Sequence, residues 1–165
     1  MCEKEEKIKK YKTIFGITMK EEKKEYHREK FSPENMYIYV DGSYRNKNKH
    51  QSAIIIYYNG IKEKYIVRHL TKSGKSTEAE MKAVIAAVLM AVKRGVGRVY
   101  IYTDSWECIN KALFESKCYS NLDLEYFRCI EWAKEYCDLK IVKVKGHSKN
   151  IYHNEVDRLA SGRRA

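Results

Sequence analysis

Two stretches of this chain end alike. Met36-Tyr37-Ile38-Tyr39-Val40 runs into Asp41-Gly42-Ser43, and Arg98-Val99-Tyr100-Ile101-Tyr102-Thr103 runs into Asp104-Ser105. Aromatic and β-branched residues favour a pleated, half-buried strand, and Gly or Ser after a carboxylate ends regular pairing. Each stretch therefore predicts a strand that delivers an aspartate to its end. Two such strands side by side would bring together the hard oxygen donors that Mg²⁺ requires.

The intervening segments narrow the fold. Ser52–Tyr58 and Ile61–Leu70 read as strands on either side of Asn59-Gly60, a strong hairpin signal. With Tyr37–Asp41, and across a polar loop at Arg45–Gln51, they predict an antiparallel meander. The polar stretch Thr71–Ser76 precedes a helix from Thr77. In it Met81, Val84, Ile85, Val88, Leu89 and Val92 recur at helical spacing until Gly95. Arg98–Thr103, reached through that helix, is expected to run parallel to the first strand. Ser105–Phe114 and Leu122–Cys137 read as helices, Leu139–Val144 as a last strand and Asn154–Ser161 as a terminal helix. The expectation is an α/β fold. Its five-stranded mixed sheet has three antiparallel strands followed by parallel ones, is flanked by helices, and gathers its parallel strands' carboxyl ends at a common edge.

Residues 1–35 are different, with Lys and Glu interleaved. They predict a charged helix around Tyr11–Lys30, broken at Gly16 and stopped at Ser32-Pro33, since proline disfavours helix just before it. The expected division is a charged N-terminal extension, 1–35, and a catalytic domain, 36–165. The 165 residues carry a formal net charge of +11 with a pI near 9.3, which argues for a polyanionic partner, nucleic acid ahead of membrane. Five cysteines without a C-x-x-C pair argue against a disulfide framework or zinc site and for a reducing, cytoplasmic compartment. The start lacks the apolar core of a signal peptide. The longest apolar run, Ala83–Val92, is shorter than the about 20 residues a bilayer span needs. A monomer without membrane attachment is expected.

Four carboxylates stand out, and each has an ordinary explanation. Asp41 fits an Asp-Gly turn, Glu80 a capping box opened by Thr77, Asp104 a helix cap with Glu107 three residues on, and Asp157 a first-turn acid. Taken together they would converge on one sheet edge and repel one another unless a cation sat there.

Five motifs then occur in order: Val40-Asp41-Gly42-Ser43, Glu80-Met81-Lys82-Ala83, Tyr102-Thr103-Asp104-Ser105, Lys145-Gly146-His147, and Asn154-Glu155-Val156-Asp157-Arg158-Leu159-Ala160. In that order, on that pattern of strands and helices, the chain resembles type 1 ribonuclease H from Met36 to Ser161. The resemblance implies a ribonuclease H-like fold and hydrolysis of the RNA strand of RNA–DNA hybrids, leaving 5′-phosphate and 3′-hydroxyl ends. It implies two Mg²⁺ ions, with Mn²⁺ as an alternative, held by Asp41, Glu80, Asp104 and Asp157, with Asp41 bridging both. Glu80 is preferred to Glu78 by its place in the helix motif. His147 matches a loop histidine that assists proton transfer or product release, with His153 as the fallback. Gly42, Ser43, Ser76, Thr77 and Lys145 would face the substrate. Ser76-Thr77 stand where the family usually has Asn-Asn, and Asn154 lies three residues before Asp157 where the family more often has four.

Trp106 is expected in the core, with stacking on the DNA strand's sugars as the other reading. Lys72, Lys75, Lys143, Lys145, Lys149, Arg158, Arg163 and Arg164 are candidate phosphate contacts. Two rivals stand beside the hybrid-cutting reading: a DNA nuclease or resolvase of the same fold, and a non-catalytic nucleic-acid-binding module. The acids argue against the second, because they would repel phosphate.

Overall fold

The computed structural model describes residues 2–43, 51–70, 76–145 and 150–162. In chain order the elements are α1 (Glu3–Phe15), β1 (Ile17–Tyr26), β2 (Met36–Ser43), β3 (Gln51–Tyr58), β4 (Ile61–His69), α2 (Ser76–Arg94), β5 (Arg98–Thr103), α3 (Trp106–Leu113), α4 (Asn121–Ala133), β6 (Asp138–Lys143) and α5 (Ile151–Ser161). A short 3₁₀ turn, Glu115–Lys117, joins α3 to α4. The sheet order is β1-β4-β3-β2-β5-β6, antiparallel from β1 to β2 and parallel across β2, β5 and β6. The meander and the parallel crossover are as the sequence predicts. The hairpin between β3 and β4 turns on Asn59 and Gly60, both at positive φ (53° and 76°), as its two-residue turn demands.

The sheet has six strands where five are expected. The sixth is β1, which replaces most of the helix expected at Tyr11–Lys30. Ile8, Tyr11 and Phe15 form one buried stripe on α1, and the helix stops at Gly16. From Ile17 the chain instead pairs along the outer edge of β4. A Lys- and Glu-rich strand has little intrinsic preference to be one; pairing with β4 overrides it. Its charges and the register shift between Glu21 and Lys23 also protect an exposed edge from further pairing. The segment expected as an extension thus shares one sheet and one core with β2 to β6.

Alternation along the strands divides the interior in two. Ile38, Val40, Ile54, Ile56 and Val67 point to α2, which is apolar all round from Ala83 to Leu89 and buried beneath the sheet, α1 and α4. On the opposite face Tyr39, Ala53, Ile55 and Tyr57 meet Val156 and Ala160 of α5. The position of α5 is fixed by Glu155, which pairs with both Lys62 and Lys64 of β4 at 2.6 Å. Gln51 Nε2 adds a hydrogen bond to the Ala160 carbonyl at 3.0 Å. Among the described residues no helix is long and apolar enough to cross a membrane.

Candidate active site

The pairing of β2 with β5 builds the site. Tyr37 lies opposite Tyr100 and Tyr39 opposite Tyr102. Both pairs stack, with ring centroids 5.2 and 4.4 Å apart and planes within 9° and 14° of parallel. Side chains alternate along a strand, so the next residues on that face are Asp41 and Asp104. Parallel register therefore sets the two aspartates beside each other, on the face that α5 covers. Tyr152 of α5 stacks on Tyr39 at 5.3 Å. His153 and Asp157 lie one turn apart on the same helix and so share a face.

Glu80 arrives from the other layer. The Gly42 N–H donates to its Oε1 at 2.8 Å and Thr103 Oγ1 to its Oε2 at 3.2 Å. One carboxylate thus joins α2 to the ends of both β2 and β5. The approach is possible only at glycine, because a Cβ on residue 42 would lie 2.6 Å from the Ala79 carbonyl carbon and the Glu80 nitrogen. Asp41, 5% exposed, hydrogen-bonds with Glu80 and with Asp157. Asp104 Oδ2 lies 3.2 Å from His153 Nε2.

The four acids thus meet at one edge, and none fills its ordinary role. Asp41 is inside β2, opposite Ala53, rather than in a turn. Thr77 Oγ1 donates to Glu107 Oε2 at 2.7 Å, across to α3, so it makes no capping box with Glu80. The helix after Asp104 is capped by Ser105, whose Oγ accepts from Cys108 N. Asp157 lies beyond the first turn of α5, which Asn150 caps through Tyr152 N and His153 N.

Electrostatics follow from crowding. Burial, then Glu80, Asp157 and Asp104, push the Asp41 carboxyl far above the usual carboxylate range. Burial likewise raises Glu80. Asp104 goes the other way: its hydrogen bond with His153 outweighs burial and holds it below the ordinary value, with help from Lys143. Ligand atoms of Asp41, Asp104 and His153 all lie within 4.8 Å of one another. Oxygen donors this close in a poorly solvated edge, two of them penalised for their charge, fit a divalent cation.

Among the described residues His153, only the fallback in sequence, is the histidine that the structure brings to the acids. Its spacing of four from Asp157 was the available signal. Thr103 was missed; its hydroxyl bridges, donating to Glu80 while accepting from Ser105 N at 3.2 Å. His147 lies outside the described residues, as do Lys72, Lys75, Lys149, Arg163 and Arg164. Of the expected substrate contacts, Gly42 and Ser43 close β2, Ser76 and Thr77 open α2, and Lys145 is exposed just after β6. Trp106 is not in the core. It is 62% exposed at the start of α3, with Lys143 Nζ 5.5 Å from its ring centroid. The first residue of a capped helix points outward here because Cys108, Ile109 and Ala112 take the inner face.

The fold agrees with what known proteins share with the chain. The RNase H family profile matches residues 33–164. The chain is 30% identical to a ribonuclease H of Caldanaerobacter subterraneus over 139 residues, covering 75% of this chain and 87% of that protein. It is 29% identical to one of Caldicellulosiruptor saccharolyticus over 138 residues, covering 74% and 91%. Among solved structures, the N-terminal RNase H domain of a Mycobacterium tuberculosis protein superposes with a TM-score of 0.58 at 17% identity, covering 78% of this chain and 94% of that one. RNase H1 from Halobacterium salinarum superposes with a TM-score of 0.54 at 19% identity, covering 76% and 93%. On the family match, the relatives and the fold together, the chain belongs to the ribonuclease H family, type 1.

Proposed function

We propose that this chain is a divalent-metal-dependent endoribonuclease that hydrolyses the RNA strand of RNA–DNA hybrids, leaving 5′-phosphate and 3′-hydroxyl ends. The observation that carries the reading is the register of β2 on β5, which sets Asp41 and Asp104 side by side in a family of nucleases. Asp41, Glu80, Asp104 and Asp157 would hold two Mg²⁺ or Mn²⁺ ions. Bound metal ions in such sites activate the attacking water and stabilise the leaving oxygen.

The chain's own residues supply the rest. Gly42 N–H and Thr103 Oγ1 hold Glu80 in one orientation, so its carboxylate needs no reorganisation when a substrate arrives. Strong positive charge draws the polyanion in and raises the encounter rate. Lys143, the last residue of β6, and Lys145 just beyond it would serve as phosphate contacts, and exposed Trp106 offers a face on which a sugar or base of the DNA strand can stack. Gly42, Ser43, Ser76 and Thr77 would contact the substrate, where 2′-hydroxyls distinguish RNA from DNA. His147 would move a proton at the scissile phosphate. Residues 36–165 are the catalytic part in this proposal, acting as a monomer in the cytoplasm, and 1–35 complete the far edge of the sheet.

Incubating the protein with labelled hybrid, duplex RNA and duplex DNA, each with Mg²⁺ or EDTA, tests the reading. Cleavage of the hybrid's RNA strand alone, abolished by EDTA, is expected. Preferential cutting of duplex DNA would make it a DNA nuclease of this fold. Binding of all three without cleavage would make it a binding module.

A further inference from the structure

We infer that His153 is a nitrogen donor to the metal site, so that the site favours transition-metal dications such as Mn²⁺ and Co²⁺ over Mg²⁺. The inference rests on the metal-dependent reading above and adds a fifth donor of a different kind. His153 is 3% exposed, and its Nε2 faces Asp104 Oδ2 at 3.2 Å. Its Nδ1 is buried with no hydrogen-bond partner among the described residues. Nε2 is the ring nitrogen that faces the acids and so the one available to an ion. One of the His153 ring nitrogens lies within 4.8 Å of a carboxylate oxygen of both Asp41 and Asp104, close enough for the three to share one ion.

The ring is also held by a helix rather than a loop. Asn150 Oδ1 accepts from the His153 N–H at 3.0 Å, the Glu155 pairs tie α5 to β4, and Val156 and Ala160 are buried beneath it. A donor fixed in this way reaches the same point whether or not an ion is present.

Donor chemistry gives the consequence. Oxygen donors suit Mg²⁺, which demands octahedral oxygen and keeps several waters. Imidazole nitrogen instead raises affinity for the first-row transition ions, increasing from Mn²⁺ toward Co²⁺ and Ni²⁺. Replacing one oxygen position by His153 thus strengthens Mn²⁺ and Co²⁺ binding and leaves Mg²⁺ little changed.

The test uses the full chain without nucleic acid. Wild type, His153→Asn, His153→Gln and Asp41→Asn are titrated calorimetrically with Mn²⁺, Co²⁺ and Mg²⁺, circular dichroism confirming that each is folded. The Mn²⁺-loaded proteins are examined by pulsed EPR for coupling to an imidazole nitrogen. Mn²⁺ should bind wild type at least about tenfold more tightly than Mg²⁺, and either His153 variant should lose about tenfold or more in Mn²⁺ and Co²⁺ affinity. Mg²⁺ affinity should stay within about twofold of wild type. Nitrogen coupling should be present in wild type and absent from both His153 variants. Equal losses for all three ions would mean that His153 only orients Asp104, and would overturn the inference. So would coupling that is missing in wild type or that survives in the variants. Unchanged binding of every ion by Asp41→Asn would sink the metal-dependent reading itself, a failure distinct from that of His153 alone.

Discussion

The backbone N–H of Gly42 donates to Glu80 Oε1 at 2.8 Å, and no side chain fits between them. The strand that carries Asp41 is thereby seated directly on the first turn of the helix that carries Glu80. Substrate-facing geometry and packing of the two layers are set by the same contact.

Gly42→Ala should therefore damage activity and stability together. The added carbon, 2.6 Å from backbone atoms of Ala79 and Glu80, forces β2 away from α2. Overpacking of this kind costs about 1–3 kcal/mol. Misplacing a catalytic group by about 1 Å can cost about 100-fold in rate. Urea unfolding and hybrid-cleavage rates measure the two effects. Wild-type activity in a folded Gly42→Ala protein would show that Glu80 need not be held in place.

Removing one carboxylate from the cluster should have opposite effects on turnover and on stability. Asp41 is buried among Glu80, Asp104 and Asp157, and like charges at this range destabilise the fold unless a cation offsets them. Asp41→Asn is expected to abolish cleavage while raising the melting temperature in EDTA by several degrees. The rise in melting temperature that Mn²⁺ gives the wild type should disappear in the variant. A less stable variant in EDTA would mean that Asp41 contributes to packing more than to repulsion.

What the sequence revealed is mostly what is encoded locally. β2 and β5 announce themselves as runs of aromatic and β-branched residues, α2 by the spacing of Met81, Val84, Ile85 and Val88, and the β3–β4 hairpin by Asn59-Gly60. Their parallel and antiparallel partners follow from connection length. β1 could not be read this way, because nothing in Ile17–Tyr26 beyond Ile17 and Met19 faces the core; the open edge of β4, more than thirty residues later, makes it a strand. Glu80 was ambiguous for a related reason. An acid in a helix's first turn serves a cap or a site equally well, and only the Gly42 contact shows that Glu80 reaches to the end of β2 instead. His153 gained its place through the helical face it shares with Asp157, which sequence shows, and its distance from Asp104, which it does not.

A second buried carboxylate predicts an acid-sensitive fold. Glu63 on β4 is 3% exposed and receives Arg94 through two hydrogen bonds, 2.6 and 2.8 Å, and Tyr65 Oη at 2.6 Å. Burial alone would raise its pKa; the Arg94 and Tyr65 contacts outweigh it and hold the carboxyl below the usual range. A folded-state value below the unfolded one means stability that is present above the ordinary glutamate pKa and lost as pH falls through the folded value. Glu63→Gln should cost about 1.5–3 kcal/mol near neutral pH, the range for hydrogen bonds to a charged group. The gap to wild type should close as the pH drops below about 4. Urea melts across that range measure it, and a gap that stays constant into acid would show that the ion pair contributes nothing.

The N-terminal segment should matter to folding and not to chemistry. Ile8, Tyr11, Phe15 and Ile17 belong to the main core, and Tyr11 packs against Trp132 of α4 with centroids 5.7 Å apart. β1 lies at one end of the sheet, separated from β2 by both β4 and β3. Phe15→Ala, at a site 1% exposed, should cost about 3–5 kcal/mol, the range for deleting a buried aromatic ring. At temperatures where the variant is folded, its hybrid-cleavage rate and metal dependence should match wild type. Deleting residues 1–34 is the harsher version. It strips four core side chains and bares the outer edge of β4, whose unpaired backbone groups invite edge-to-edge association. The truncated chain should aggregate or unfold at low urea in size-exclusion and denaturation experiments. If it remains monomeric with an unchanged melting temperature, α1 and β1 are an appendage after all, and the core on their side closes without them.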